Sequence, residues 1–149
     1  MPTLYSEIDN MFLADISDDT FLSYTEIERQ EILDGLRNKA ITRFKACKKD
    51  LYDRVDTVVE NEVITIGYFN PTLTYEEKLI IATCMRKYWL NDKIYNLELL
   101  KQRMSGRDWK LSSQAEHLLR LTVLNQELDK EISRAIVDYT TYSYSINEG

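Results

Sequence analysis

The chain has 149 residues, an apolar fraction of 44% and a formal net charge of −6. This length fits one domain with a single core, and the negative charge argues against a protein that binds free nucleic acid. No apolar run is long enough to cross a bilayer, and the first ten residues lack the basic and apolar segments of a secretory signal. We therefore expect no export, and reduced rather than disulfide-bonded Cys47 and Cys84.

Two helices are predicted in the first third of the chain. Residues 3–16 form a short amphipathic helix with Thr3 as its N-cap. Residues 25–50 form a long helix that begins with a capping box of Thr25 and Glu28. The predicted buried faces consist of Leu4, Ile8, Met11 and Phe12 in the first helix and Leu33, Leu36, Ala40, Ile41, Phe44 and Cys47 in the second.

A β-rich segment follows at residues 55–66. Two runs of mostly β-branched residues flank Glu60–Asn61–Glu62, a pattern typical of a small hairpin or an extended arm. An isolated hairpin of this size is marginally stable in water, so we expect the arm to rest on another surface. Its apolar residues include Val58, Val59, Val63, Ile64 and Ile66.

A longer helix is predicted for residues 74–104. It opens with a capping box of Thr74 and Glu77 and is apolar nearly all round, which predicts a central helix contacted on several sides. Asn91–Asp92 is a predicted interruption within it. The final helix is predicted to begin at Ser113, after a loop.

The final helix gives way to a tyrosine-rich segment at residues 139–149. Exposed tyrosines do not stabilise a free tail. Tyrosines are, however, enriched at interfaces between proteins. In an extended strand, the alternate positions 142, 144 and 146 share one face. The sequence therefore predicts a docking tail. Its partner contacts are Tyr139, Tyr142, Tyr144 and Ile146, with Trp109 and Lys110 of the preceding loop as second-choice contacts.

These elements predict an all-α fold, a helical bundle of about four main helices with a β-rich arm at residues 55–66 and an extended C-terminal tail. We assign residues 1–138 to the bundle domain and residues 139–149 to the docking tail.

Charge is banded along the chain. The net acidic segments are 1–34, 55–77 and 111–149, and the net basic segments are 35–54 and 78–110. Opposite bands either pack against one another within the bundle or meet between copies, where complementary charge would orient a head-to-tail contact.

The sequence shows no catalytic constellation. His117 is the single histidine. Packing or contact with water accounts for a histidine at this position without a catalytic role. Cys47 lies near lysines that would lower a thiol pKa, but burial as a small apolar residue is the simpler interpretation. No glycine-rich phosphate loop, nucleophile elbow or metal-binding spacing occurs. We therefore expect neither enzymatic activity nor a cofactor.

A basic cluster closes the second predicted helix. Cations at a helix C-terminus complement the helix dipole, which explains the cluster without a ligand, and contact with phosphate is the alternative interpretation. The cluster consists of Arg43, Lys45, Lys48 and Lys49.

Five strings carry a resemblance to a known family. They are LYSEIDNMFLADISD, AITRFKACKKDL, FNPTLTYEEKLIIATCMRKYWL, LELLKQRMSGRDWKLSS and YSYS, and together they cover most of the chain. In this order they resemble the head–tail connector family, also called head-completion adaptors, of tailed bacteriophages from Firmicutes-type hosts. The resemblance lies in aromatic, lysine and loop positions rather than in catalytic signatures.

The resemblance implies a helical virion structural protein of the neck, assembled in the host cytoplasm and then part of the virion. Such adaptors form a homo-oligomeric ring, a dodecamer, beneath the portal protein. The ring extends the DNA channel with passive contact to DNA, and it supports the stopper or tail-completion protein. A C-terminal segment docks on the portal. The apolar arm at 55–66 is longer than in related sequences, and it would face the channel or a neighbouring ring.

Three alternatives remain open. A stopper or tail terminator is another neck component, but such proteins are typically β-rich. A helical DNA-binding regulator would use EEKLIIATCMRKYWL as a helix-turn-helix, against which the net charge argues. A small helical enzyme would need a cofactor or metal for its chemistry.

Overall fold

The computed structural model describes residues 1–16, 21 and 23–148, with side chains described as far as Thr141. Within this part of the chain, the predicted helical bundle with a β-hairpin is confirmed. The helices are α1 (Tyr5–Asp15), α2 (Glu26–Arg43), α3 (Tyr75–Arg103), α4 (Gly106–Leu111) and α5 (Ser113–Glu148). The strands are β1 (Thr3–Leu4), β2 (Arg54–Val55), β3 (Val58–Glu60), β4 (Val63–Thr65) and β5 (Tyr68–Phe69).

Helix α3 is the centre of the bundle, because α1, α2 and α5 all pack against it. This arrangement explains why the helix is apolar nearly all round. The predicted interruption at Asn91–Asp92 is wrong, and α3 is continuous from Tyr75 to Arg103. Within this continuous helix, the Asn91 side chain has a partner on α5, the Asn125 amide, which donates to Asn91 Oδ1 at 2.8 Å.

The N-terminal strand corrects the predicted cap of the first helix. Thr3 lies in β1, at the edge of a three-stranded antiparallel sheet in the order β1-β5-β2. Its hydroxyl accepts from the Leu73 N–H at 2.9 Å and donates to the Pro71 carbonyl at 3.0 Å. Thr3 therefore links the start of the chain to the start of α3, and the Glu7 carboxylate accepts from the Leu4 N–H at the start of α1.

Helix α2 ends earlier than the sequence predicts. It stops at Arg43, where Phe44 leaves helical geometry with ψ of 55°. Phe44 is 1% exposed and its ring meets the Tyr139 ring edge to face, with centroids 5.2 Å apart. Burying this aromatic pair turns the chain away from the helix axis, so Lys45, Lys48 and Lys49 lie beyond α2 and not in its last turn.

The predicted extended conformation of the C-terminal tail is wrong for residues 139–148. The backbone stays α-helical as far as Glu148, and Gly149 lies outside the described residues. Tyr139 is 4% exposed and belongs to the core. The side chains of Tyr142, Tyr144 and Ile146 lie outside the described part of the chain.

A buried ion pair joins α1 to α2. Asp9 and Arg37 are both almost fully buried, and Arg37 Nη2 lies 2.6 Å from Asp9 Oδ2 and 2.8 Å from Asp9 Oδ1. A second nitrogen, Arg37 Nη1, bonds to Asp34 at 2.5 Å, and the guanidinium lies 4.0 Å from the centre of the Tyr5 ring. The arginine is thus held by two carboxylates and one aromatic face.

We expect Arg37→Met to lower the free energy of unfolding by about 3–5 kcal/mol, because it leaves the Asp9 carboxylate buried without a counter-charge. Urea denaturation followed by circular dichroism measures this loss. The matched control is Arg43→Met, since the partly exposed Arg43 lies 3.9 Å from Asp129 and such a pair contributes about 1 kcal/mol or less. Equal losses in the two variants would contradict the interpretation.

Candidate functional site

Strands β3 and β4 form an arm that stands apart from the bundle. They pair antiparallel in the register Val58↔Thr65, Val59↔Ile64 and Glu60↔Val63, and neither strand packs substantially on another element. The turn residues Asn61 and Glu62 both have positive φ, 50° and 65°. A two-residue loop with this geometry is a type I′ turn. The predicted hairpin is therefore confirmed.

Both faces of this hairpin are accessible. One face carries Val58 and Val63, and the other carries Val59 and Ile64, because alternate residues point to opposite sides. Val63 is 65% exposed, and Val58 and Val59 are nearly half exposed. Ile66 is exposed at the base, and Ile64 is partly buried. We call residues 57–66 the valine arm.

The valine arm leaves the bundle at Gly67, where the backbone is closely surrounded. A Cβ atom at this position would lie 2.0 Å from the Val55 carbonyl oxygen and 2.7 Å from the Tyr5 ring. The Gly67 carbonyl also accepts from the Tyr5 N–H at 3.1 Å. Only glycine fits this space, so Gly67 holds the base of the arm against the start of α1.

A second apolar surface lies where α4 meets α5. A cleft of about 800 Å³ opens there, and its lining includes Lys101, Trp109, Leu111, Leu118 and Leu119. Leu111 is 78% exposed and Leu119 is 69% exposed. A shallower groove continues along α5 past Val123. We call this surface the α4–α5 cleft.

The α4–α5 cleft is the surface that sequence reasoning missed. Residues 105–112, predicted to be a loop, contain the short helix α4, which buries Trp109 to 7% exposure. Trp109 is therefore largely unavailable as a partner contact, although Lys110 is exposed. The sequence did contain a signal, since Leu119 and Val123 are four residues apart on α5 and lie off its buried stripe.

Charges at the two surfaces are opposite in sign. The valine arm has Glu60 and Glu62 at its tip, and neither is in an ion pair among the described residues. The cleft is lined by one carboxylate, Glu116, and by two of four cations from the end of α3 and from α4. All four cations are exposed and likewise lack a described ion pair. These cations are Lys101, Arg103, Arg107 and Lys110.

The predicted basic cluster is divided in the structure. Arg43 donates to the Ser133 hydroxyl at 3.0 Å, and Lys49 bonds to the Glu77 carboxylate at 2.8 Å. Lys45 and Lys48 remain exposed. Two of the four residues thus serve contacts within the chain, and the cluster presents less free positive charge than the sequence indicated.

A buried carboxylate joins three parts of the chain. Glu77 is 1% exposed and completes the Thr74 capping box by accepting from the Thr74 N–H at 2.8 Å. It also accepts from the Tyr139 hydroxyl at 2.7 Å. The same Tyr139 hydroxyl accepts from the Lys48 N–H at 2.9 Å. With Lys49, these contacts hold the start of α3, the segment after α2 and the last part of α5 together.

Electrostatics at this carboxylate are those of a structural group. Burial alone would raise the pKa of Glu77, but the hydrogen bonds from Lys49, Thr74 and Tyr139 outweigh it and lower the pKa to about 2. Burial raises the pKa of Tyr139 above its ordinary value. Burial likewise raises the pKa of the neighbouring Cys47 thiol to about 11, and the Glu77 charge adds to the rise. The nearby lysines therefore do not activate Cys47 as a nucleophile.

The remaining candidate residue from the sequence is the single histidine, His117. His117 is exposed at the edge of a groove that Asp15, Trp89 and Leu121 also line. Among the described residues, no group of histidine, cysteine and acidic side chains is arranged to hold a metal ion. No described helix combines the length and apolar character needed to span a membrane.

Comparison with known proteins gives no match. No protein-family model, curated protein or solved structure matches the chain.

The low pKa of Glu77 predicts a pH dependence of stability. The group titrates near 4.5 when unfolded and near 2 when folded, so its stabilising contribution is complete above about pH 4.5. It is lost as the pH falls toward 2, and the loss amounts to about 3 kcal/mol at most.

Unfolding free energies measured by urea denaturation from pH 5.5 to 2.5 test this dependence. Glu77→Gln should be less stable at pH 5.5 and should lose less further stability on acidification. Glu76→Gln on the exposed side of the same turn is the control. Parallel pH profiles for Glu77→Gln and the natural protein would rule out the assigned role.

Proposed function

We propose that this chain is a virion structural protein, a head–tail connector that forms a ring beneath the portal of a tailed phage. In this role it extends the DNA channel and supports the stopper or tail-completion protein. The resemblance of five sequence strings to the connector family suggests the role. A largely helical bundle agrees with it.

The single observation that carries the proposal is the exposure of two separate apolar surfaces on one helical bundle. The valine arm and the α4–α5 cleft expose large apolar side chains that the described chain leaves uncovered. Exposed apolar patches of this kind mark contact sites with other proteins. A subunit in the middle of an assembly needs several such sites, one for each neighbour.

The portal contact is proposed for the end of α5. Tyr142, Tyr144 and Ile146 remain its candidates, in a backbone that is helical instead of extended. Tyr139 is removed from this set because its hydroxyl and ring serve the core. The docking segment therefore begins after Thr141, and its mode would be a helix laid in a groove and not an added strand.

The alternatives receive less support. A stopper or tail terminator rich in β-structure disagrees with the described part of the chain, which is 70% helical. The segment that a helix-turn-helix regulator would use, EEKLIIATCMRKYWL, lies within the uninterrupted helix α3 and contains no turn. Passive contact with channel DNA would fall to the exposed Lys45 and Lys48.

Deleting residues 142–149 should leave a folded protein that no longer binds the portal protein of the same phage. Circular dichroism and a thermal melt test folding, and light scattering after co-expression and size-exclusion chromatography tests binding. The full chain should elute with the portal as a complex.

A second deletion, residues 139–149, is the matched control. It also removes Tyr139, which packs on Phe44 and bonds to Glu77, so the bundle itself should lose stability, by about 3–5 kcal/mol. The connector proposal fails if the full chain does not bind portal. The assignment of the docking segment alone fails if the 142–149 deletion still binds.

A further inference from the structure

We propose that the acidic tip and apolar strands of the valine arm dock into the α4–α5 cleft of a second copy of this chain. The inference deepens the proposed function, on which it rests, by naming the two surfaces that meet between neighbouring subunits.

The valine arm lacks the cover that a hairpin of this size needs. Its strands have three residues each, and two-stranded hairpins are marginal in water without a packing surface. Its free backbone edges and exposed valines would also favour uncontrolled pairing unless something covers them. Docking into an apolar cleft supplies both the packing surface and the protection.

Glu62 indicates that the tip is built for a charged partner. Its φ of 65° lies in the left-handed region, where a residue other than glycine or asparagine is strained. The second position of a type I′ turn favours glycine. Glu62 instead places a carboxylate there that no described cation neutralises. Strain of this kind, stored at an exposed tip, is typical of a contact site.

The α4–α5 cleft has the complementary chemistry. Its walls expose Leu111 and Leu119, which can receive the valines, and the cations Lys101 and Lys110 line its edge. Glu116 is the one carboxylate among its lining residues, so Lys101 and Lys110 leave the lining with net positive charge. Arg103 and Arg107 are exposed and close in sequence to these two lysines. A valine arm that enters with its apolar face against the leucines brings Glu60 and Glu62 toward these cations, and complementary charge fixes the orientation of the contact.

The two surfaces are too far apart to meet within one chain. The arm is anchored near the start of α3, since Gly67 bonds to Tyr5 and Leu73 bonds to Thr3. The cleft lies at the far end of α3, beside Lys101. The 29 residues of α3 span about 43 Å, whereas an arm of five residues from base to tip reaches about 17 Å. The valine arm must therefore find its cleft on another molecule.

The arm and the cleft are different surfaces, so a head-to-tail contact between them is heterologous. Each copy offers one arm and one cleft, so the contact of one pair leaves an arm and a cleft free for further copies. Repetition of a heterologous contact gives a closed ring or an open filament.

Complementary variants of the full chain test the contact. Val58→Lys/Val63→Lys disables the arm, and Leu111→Gln/Leu119→Gln disables the cleft. All four residues are exposed, so both variants should fold normally. Val137→Gln is the control, an exposed apolar residue of α5 remote from the cleft. Sedimentation velocity up to about 1 mM protein measures the assembly state.

The natural protein and the Val137→Gln control should associate beyond the dimer, and each disabled variant should stay monomeric. A mixture of the two disabled variants should give a one-to-one dimer, because it contains one working arm and one working cleft. A natural protein that stays monomeric, or a mixture without dimer, overturns the inference. Either of these two results is compatible with the connector proposal, provided that the full chain still binds portal.

Glu62 provides a second test with a different readout. Glu62→Gln keeps the strained turn and removes the charge, so association should weaken roughly threefold at low salt. Glu62→Gly relieves the strain, and amide exchange of the valine arm should slow roughly fivefold. If Glu62→Gln associates as tightly as the natural protein at low salt, the tip carboxylate has no role in the contact.

Discussion

The rest of the fold depends on one buried carboxylate, Glu77. Three donors from separate parts of the chain converge on it, and each replaces a hydrogen bond that the carboxylate would have had with water. Burial of a charge is costly unless it is paired and hydrogen-bonded, so the position of Glu77 specifies the positions of Lys49, Thr74 and Tyr139. This one side chain thereby joins three parts of the chain: the start of α3, the segment after α2 and the last part of α5.

The polar contacts of Asp9 with Arg37 and of Asn91 with Asn125 extend the same principle through the bundle. Apolar packing around α3 supplies cohesion but little direction. The polar pairs set which helix lies where, since a shifted helix would leave a buried group without its partner. The helices of the bundle therefore have one fixed arrangement. The valine arm and the α4–α5 cleft lie on its surface.

Local signals predicted much of this fold. The patterns at Thr25 and Thr74 mark helix starts correctly, because caps depend on residues three positions apart. Thr25 caps α2 by accepting from the Glu28 N–H, and the reciprocal capping box forms at Thr74 with Glu77. The valine arm was also predictable, since β-branched runs around Asn61 are a local pattern. The end of α2 was not, because Phe44 turns out of the helix to meet Tyr139, a contact across 95 positions of sequence.

The candidate sites also differ in whether a local sequence pattern or a contact between distant residues determines them. Alternation at 142, 144 and 146 predicted a strand, but alternation is informative only when a sheet edge is available to pair with, and the preceding helix continues instead. Positions two apart on a helix are about 200° apart around its axis, so position 144 does not share a face with 142 and 146, which are four residues apart and do share one. Leu119 and Val123 are a local signal for an apolar surface on α5, but the α4–α5 cleft itself exists only once Trp109 is buried and α4 leans on α5.

Gly67 has a consequence for the shape of any assembly. The missing side chain allows the base of the valine arm to lie against Val55 and Tyr5, and this close contact helps to set the direction in which the arm leaves the bundle. In a ring, a small error in that direction is repeated at every subunit, and accumulated error separates a closed circle from a spiral. The curvature of such an assembly would then depend on an absent methyl group at the base of the arm.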